Sequence, residues 1–234
     1  LHSTSRRQRQ MCIRDRIYYA PSTGALSVDY VLSDEQIMWF QKFKNYSARD
    51  VVTKKFIENN EHQEVTVVLD PTFLWEFNEI TCKTKLGEKS IVLYSFDSIA
   101  DYADEIIDYA NKHEYEIVSL AREYRWANIN LPAATEQEWI TCFRNCEVVI
   151  TDSYHGLVFA LKNKKKVVLI SREDKLNKNN GLLEFLGIQM SYYKKGSIDR
   201  YLHTETLDYS IINENIKKRK IESEKYLSEA LENI

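Results

Sequence analysis

The sequence predicts an α/β protein built on mostly parallel β-sheet. Strand-like and helical patterns alternate along most of the 234 residues, as is typical of parallel sheets covered by helices. Several strand segments are continuous β-branched runs, such as VTVVL at 65–69 and EVVIT at 147–151, which is expected of strands buried on both faces. The chain has only 6 Gly and 3 Pro, too few for a turn-rich all-β fold.

The first part of the chain opens with a strand at 17–20. Ser33, followed by two acidic residues, has the pattern of a helix start. A short strand at 46–48 leads into a helix at 49–59. The β-branched run at 65–69 then ends at the turn residues 70–72.

We interpret the polar loop at 76–89 as a domain boundary. After this loop, predicted strands and helices alternate regularly. Thr135 and Glu138 have the spacing of a capping box at a helix start. A long amphipathic helix closes the chain, with apolar anchors at Ile212, Ile216, Leu227 and Leu231. Between the loop and this helix we predict strands at 91–96, 115–120, 147–151 and 166–171, and helices near 103–110, 135–143, 153–163 and 181–187.

Composition and charge argue against several classes of protein. Lys and Arg total 32 against 35 Asp and Glu, a net charge of -3, which gives no support for nucleic-acid binding. No apolar run approaches the roughly 18 residues of a membrane-spanning helix. Four cysteines are too few for a disulfide scaffold and favour a cytoplasmic location. Cys142 and Cys146 lack further metal ligands nearby, so we interpret them as buried thiols and predict no metal site.

One strand–helix junction carries a distinctive set of side chains. In EVVITDSYHGLVFAL a buried strand enters a helix through Asp152, Ser153, His155 and Gly156. A helix N-terminus presents backbone N–H groups and a positive dipole end, which suit a phosphate or carboxylate. His155 would lie in the first turn beside that anion, and Gly156 would allow a ligand or another backbone to approach closely. The alternative is that Asp152 and Ser153 merely cap the helix while His155 is a surface residue.

Two further junctions end predicted strands. In YSARD, Arg49 follows a strand and could bind an anion with its bidentate guanidinium, or could pair with Asp50 or another nearby acid. In LDPT, Pro71 fixes a turn that could simply end the strand. Since parallel strands place their carboxyl ends at one edge of a sheet, these loops are candidates for a ligand site.

The junctions, in this order, resemble the polysaccharide pyruvyl transferase family. The matching segments are YAPSTG, YSARD, VVLDPTFLW, NCEVVITDSYHGLVFALKNKKKVV and NKNNGLLEFLGI, which together span roughly residues 17–188. TDSYHG with its flanking strand and helix is the most specific of them.

The resemblance implies a fold and a reaction. It implies Rossmann-like parallel sheets in a glycosyltransferase-B-like two-domain architecture with the active cleft between the domains. It also implies transfer of the enolpyruvyl group of phosphoenolpyruvate onto a sugar or glycan acceptor, forming a pyruvate ketal in cell-surface polysaccharide biosynthesis. Phosphoenolpyruvate would be a donor co-substrate, and no cofactor is implied.

The resemblance also assigns roles to residues. His155 would be the general acid/base and Arg49 would hold the donor's anionic groups, so both are expected to be catalytic. The substrate-binding residues would be Ser22, Gly24, Asp152, Ser153, Gly156 and Lys178. Lys178 is the nearest match to a basic residue that the family has before its LL segment.

The family pattern also predicts how the chain is divided. We expect residues 1–16, which carry five arginines against one acid, to be a non-native or disordered tail. Residues 17–80 would be the remnant of a truncated N-terminal Rossmann-like domain, 81–205 a complete C-terminal one, and 206–234 a C-terminal helix. The chain would thus be a fragment, and we expect it to be catalytically silent.

Two other functions fit the same residues. One is a glycosyltransferase that uses a nucleotide sugar in the same cleft. The other is a sugar-binding module without catalysis, against which the presence of both Arg49 and His155 argues. The sequence makes no prediction of the acceptor sugar or the oligomeric state.

Overall fold

The computed structural model describes residues 16–24, 26–61, 63–82, 89–96, 98–170 and 176–232. The predicted tail therefore lies outside the described residues except for Arg16, and so do positions 83–88 of the predicted boundary loop. The chain divides into two compact units. Unit 1 comprises the chain up to Trp75 together with Glu214–Ile234, and unit 2 comprises Glu76–Asn213.

Unit 1 contains a parallel sheet whose described strands lie in the order β1-β2-β3. Tyr46, Ala48, Phe56, Ile57 and Val65 are buried in its core. Its elements are β1 (Arg16–Tyr18), α1 (Asp34–Phe40), β2 (Phe43–Ala48), α2 (Val51–Glu61), β3 (Thr66–Val67) and a 3₁₀ turn at Pro71–Phe73. Ser33 caps α1 in a capping box with Gln36, as its sequence pattern indicated.

Two predicted boundaries in unit 1 are wrong. The helix expected from Arg49 begins at Val51, because the Asp50 carboxylate accepts the Thr53 N–H at 2.7 Å and caps it. The strand expected at 65–69 is limited to Thr66–Val67. The Leu69 N–H donates instead to the Ser223 hydroxyl at 2.9 Å.

The last helix, α8 (Tyr209–Glu232), contributes its part from Glu214 onward to unit 1. Ile212 is buried as predicted, but Leu231 is 56% exposed, so its prediction as an anchor is wrong. Ser223 and Ala230 are the buried residues in this stretch. Since Ser223 Oγ also donates to the Arg219 carbonyl at 2.7 Å, its hydroxyl is satisfied although it is buried.

Unit 2 contains a parallel sheet with the described strands in the order β6-β5-β4-β7-β8. Tyr94 pairs with Leu120 on one side and Thr151 on the other. Its strands are β4 (Ser90–Tyr94), β5 (Glu116–Leu120), β6 (Ile129–Leu131), β7 (Val148–Thr151) and β8 (Lys166–Leu169). Its helices are α3 (Ala103–His113), α4 (Glu136–Asn145), α5 (Tyr154–Lys162), α6 (Leu176–Phe185), α7 (Ile198–Thr204) and the start of α8.

Most predicted elements of unit 2 are present, with two additions. Thr135 and Glu138 form the predicted capping box, with the Glu138 N–H donating to Thr135 Oγ1 at 3.3 Å. Strand β6 and helix α7 were not predicted. Strand β4 ends at Tyr94 rather than at Phe96, and α6 begins at Leu176, before the predicted 181.

The two cysteines expected to be buried are both 1% exposed. Burial raises the pKa of each thiol, Cys142 and Cys146, to about 12, so both are protonated and unreactive at neutral pH. Among the described residues, no helix combines the length and apolar character needed to cross a membrane. The α/β class with parallel sheets is therefore confirmed in both units.

Candidate functional site

In the described strands of unit 2, the order reverses between β4 and β7. The chain runs outward from β4 to β5 and β6, then returns to the other side of β4 for β7 and β8. In open parallel sheets, ligands bind beyond the carboxyl ends of the strands at the point where this order reverses. The segment Asp152–Gly156 follows β7 directly, so the structure places it at this point.

Thr151, the last residue of β7, connects the two strands and the following helix. Its hydroxyl donates to the Tyr94 carbonyl at 2.6 Å and accepts the Ser153 N–H at 3.0 Å. Both bonds are made in a fully buried position. The Thr151 side chain therefore fixes the start of α5 to the end of β4.

Gly156 lies against this same threonine. A Cβ atom built at position 156 would stand 2.1 Å from Thr151 Oγ1 and 2.9 Å from Thr151 Cβ. Because two hydrogen bonds hold the hydroxyl, it cannot easily move away. The sequence predicted that a ligand or another backbone approaches Gly156 closely. In the structure the Thr151 side chain makes this close approach, so packing explains the glycine.

Asp152 and Ser153 are buried, with exposures of 1% and 8%. Ser153 occupies the N-cap position of α5, yet among the described residues its side chain makes no capping hydrogen bond. The alternative in which the Ser153 hydroxyl caps the helix is therefore not supported, and the Ser153 N–H itself donates to Thr151 Oγ1.

Asn179 on α6 is a site residue that the sequence analysis missed. It is 1% exposed, and its Nδ2 donates to the Asp152 carbonyl at 3.3 Å. The run NKNN offered no spacing that singled out this asparagine. Lys178 precedes it on the same helix and is half-buried, so the segment with the predicted basic residue does reach the α5 junction.

His155 lies in the first turn of α5, and it is exposed whereas its neighbours on both sides are buried. Its imidazole meets the Tyr154 ring edge-on, with 5.3 Å between centroids. Helix α5 is nine residues long, so its dipole and first-turn N–H groups favour an anion at this end. An exposed imidazole beside such an anion is placed to exchange protons with it.

An aromatic cluster packs around the end of β4. Tyr94 meets Trp139 edge-on at 5.2 Å and Phe96 at 5.5 Å between centroids. Burial, with a smaller contribution from the Asp152 carboxylate, raises the pKa of the Tyr94 phenol. The Tyr94 phenol is therefore neutral at physiological pH. The rings of Trp139 and Phe96 pack against Tyr94 at the end of β4.

Unit 1 carries a second group of predicted residues at the carboxyl edge of its own sheet. Arg49 Nη1 donates to Asp70 Oδ2 at 2.7 Å, with the side chains 13% and 4% exposed. The other carboxylate oxygen, Asp70 Oδ1, accepts from the N–H and hydroxyl of Thr72 at 3.0 and 2.7 Å. The YSARD and LDPT junctions thus form one cluster, in which Arg49 pairs with Asp70.

The loop with Ser22 and Gly24 belongs to the same cluster. The Arg49 N–H donates to the Pro21 carbonyl at 3.0 Å, and the Thr23 N–H donates to Thr53 Oγ1 at 3.0 Å. Gly24 has a φ of 72°, a left-handed conformation that glycine adopts without strain. Its N–H faces Ser22 Oγ at 3.4 Å.

The structure thus assembles the predicted residues into two groups. Ser22, Gly24 and Arg49 belong to unit 1, whereas Asp152, Ser153, His155, Gly156 and Lys178 belong to unit 2. Over the described ranges, no group of three or more His, Cys, Asp or Glu side chains could hold a metal ion.

Comparison with known proteins links these junctions to a family. The family model described as polysaccharide pyruvyl transferase matches residues 11–174, more than half of the chain. No curated protein matches.

Two solved structures are similar at low identity. One is the crystal structure of the glycotransferase of kitacinnamycin, with 11% identity and a TM-score of 0.45 over 72% of this chain and 48% of that one. Another is the wall teichoic acid polymerase TagF, with 10% identity and a TM-score of 0.43 over 95% of this chain and 66% of that one. The chain therefore spans about half of the first protein and two thirds of the second.

Proposed function

Because the chain belongs to the polysaccharide pyruvyl transferase family, we propose that it supplies the machinery for moving the enolpyruvyl group of phosphoenolpyruvate onto a sugar. The product would be a pyruvate ketal on a polysaccharide or its precursor. The observation that carries this proposal is the position of His155. It is exposed in the first turn of α5, at the carboxyl edge where the strand order reverses.

The donor suits the α5 junction because it is small and strongly anionic. Phosphoenolpyruvate carries a carboxylate and a phosphate, and the positive end of a helix dipole favours such groups. Ser153 and Gly156 belong to this helix start. Asp152 is buried behind it, so we assign Asp152 to positioning of the loop.

The family resemblance assigns Arg49 the role of holding an anionic group of the donor. A guanidinium has five N–H donors in a fixed plane, and Nη1 of Arg49 donates to Asp70 Oδ2 at 2.7 Å. The Asp70 carboxylate is held in turn by Thr72. The pair therefore fixes the orientation of the Arg49 plane at the carboxyl edge of its sheet, which is what recognition of a carboxylate or phosphate requires.

His155 would act as the general acid/base. Protonation of the donor's methylene carbon gives a methyl group and leaves a cationic centre at C2. A sugar hydroxyl adds at C2 and loses its proton to a base, and inorganic phosphate departs. A second hydroxyl then closes the ketal and releases its proton. An imidazole can serve both as proton donor and as proton acceptor in such a reaction.

The test is an assay of the full-length gene product with phosphoenolpyruvate and lipid-linked or nucleotide-linked sugars, with products identified by mass. We expect ketal formation, and we expect His155→Ala to lower turnover by about 10²–10⁴-fold while the fold stays intact. Lys194→Ala, an exposed change elsewhere in unit 2, is the control.

Two outcomes would contradict the proposal. Near wild-type turnover of His155→Ala would remove His155 from the chemistry. Binding of a nucleotide sugar, together with no ketal and no stabilisation by phosphoenolpyruvate, would favour a glycosyltransferase.

A further inference from the structure

Unit 2 contains a cavity of about 510 Å³ that the transferase chemistry does not use. Tyr115 immediately precedes β5 and Lys166 begins β8, so the cavity lies at the amino ends of the strands, opposite the edge with His155. Its volume is within the range of about 300–1,000 Å³ usual for small-molecule sites.

One wall of the cavity carries three consecutive lysines, Lys164–Lys166. Lys166 is already neutralised by Glu147, with 2.6 Å between Nζ and Oε1. Within the described part of the chain, neither Lys164 nor Lys165 has a carboxylate within 4.0 Å of its ammonium group. Lys164 also adopts a left-handed backbone conformation, with a φ of 57°, which costs a lysine free energy that a glycine would not lose.

The carboxylates of the cavity are engaged by other groups. Asp199 contacts Lys112 Nζ at 2.5 Å and His113 Nε2 at 2.7 Å. Hydrogen bonds from Lys112 first, and then from His113, hold the pKa of Asp199 below its ordinary value. Glu205 accepts the Ser191 N–H at 2.9 Å. Among the described residues, neither Asp199 nor Glu205 forms an ion pair with Lys164 or Lys165.

Another part of the lining is aromatic and apolar, beside the polar residues His203 and Thr206. The rings of Tyr109 and Tyr115 stack with centroids 5.8 Å apart, and His113 lies 4.6 Å from Tyr109. Val167, Leu202 and Leu207 complete this side. A ligand that fills the cavity would contact a flat, largely apolar surface and two ammonium groups.

We propose that this cavity binds a small organic phosphate whose body is aromatic or apolar, with Lys164 and Lys165 holding the phosphate. Lysine binds phosphate as a point charge, and the tyrosine wall contacts the body. The dipole of α5 accounts for cations near its C-terminus. The dipole does not account for the aromatic side chains beside these lysines. A phosphate with an aromatic or apolar body would contact both the lysines and the aromatic side chains.

The experiment titrates phenyl phosphate, inorganic phosphate and phenol into the ¹⁵N-labelled chain and follows the backbone amide resonances. Phenyl phosphate should bind more tightly than either of the other probes and should shift the amides of Lys164–Val167 and 202–207. Lys164→Ala and Lys165→Ala should each raise the Kd for phenyl phosphate about tenfold. The matched control Lys194→Ala should change it less than twofold.

The same spectra report whether each variant is folded. Shifts concentrated at Asp152–Gly156, affinity unaffected by both lysine variants, or equal affinities for phenyl phosphate and phenol would each overturn the proposal. No saturable shift with millimolar phenyl phosphate would overturn it as well.

Discussion

At the scale of single residues, Thr151 and Gly156 explain much of the TDSYHG segment. The threonine hydroxyl is held by two hydrogen bonds, and the glycine lies against it. Two of its six residues, Thr151 and Gly156, are therefore explained by packing at the end of β7, whereas His155 is the exposed residue of the segment.

Gly156→Ala should destabilise unit 2 by about 1–3 kcal/mol, because the new methyl group overlaps Thr151 Oγ1 and overpacking of a buried site carries a cost of this size. Thr151→Ala should also destabilise, because Ser153 loses the acceptor for its N–H. Urea denaturation of both single variants and of the double variant would measure the coupling. The double variant should lose less stability than the sum of the singles, since it removes the 2.1 Å overlap with Thr151 Oγ1 and leaves the milder 2.9 Å approach to Cβ. Strict additivity would contradict this account.

Arg49→Lys should weaken binding of phosphoenolpyruvate although the charge is kept, because an ammonium cannot reproduce the planar fork that pairs with Asp70. Calorimetric titration of the full-length gene product would show the lower affinity. The effect of the same change on the free energy of unfolding separates a binding role from a structural one. Unchanged affinity with reduced stability would leave Arg49 as a structural partner of Asp70.

At the scale of elements, a hydrogen bond from the Leu69 N–H to the buried Ser223 hydroxyl joins the segment after β3 to α8. Ser223→Ala would leave the buried Leu69 N–H without its acceptor, which should lower the free energy of unfolding by about 1–3 kcal/mol. Ser228→Ala on the exposed side of the same helix should change it by less than about 0.5 kcal/mol. Thermal or urea unfolding followed by circular dichroism would compare the two, and equal effects would remove this role of Ser223.

The elements also show which features the sequence could predict. Continuous β-branched runs and capping boxes depend on neighbouring residues, so β5, β7, β8, α1 and α4 followed from local pattern. Strand β6 is only three half-buried residues and gave no such signal. The exposure of Leu231 could not be predicted either, because spacing along α8 indicates one face but not how far that face is covered.

The candidate site likewise contains features that the sequence could predict and contacts that it could not. The α5 junction was evident because strand, turn and helix signals are consecutive in the chain. The pairing of Arg49 with Asp70 and the contact from Asn179 to Asp152 join residues distant in sequence. A single sequence carries no local pattern for such contacts.

At the scale of the whole molecule, the two units differ in how deeply their sheets are buried. Every residue of β4 before Tyr94 and every residue of β7 is at most 1% exposed. In β2, by contrast, Phe43 to Asn45 reach solvent. Hydrogen-exchange mass spectrometry on the whole chain should therefore find β4 and β7 protected longest and β2 exchanging earlier. Protection of β2 for as long as β4 would show that burial does not set the order.

The bond between Leu69 and Ser223 also has a consequence for the order in which the protein is made. The two residues are 154 positions apart, and unit 1 includes the chain from Glu214 onward. A ribosome that has just finished unit 2 has therefore not yet supplied the part of α8 that carries Ser223. The Leu69 N–H acquires this buried acceptor only after unit 2 has been synthesised, and until then it must be hydrogen-bonded to water or held by a chaperone.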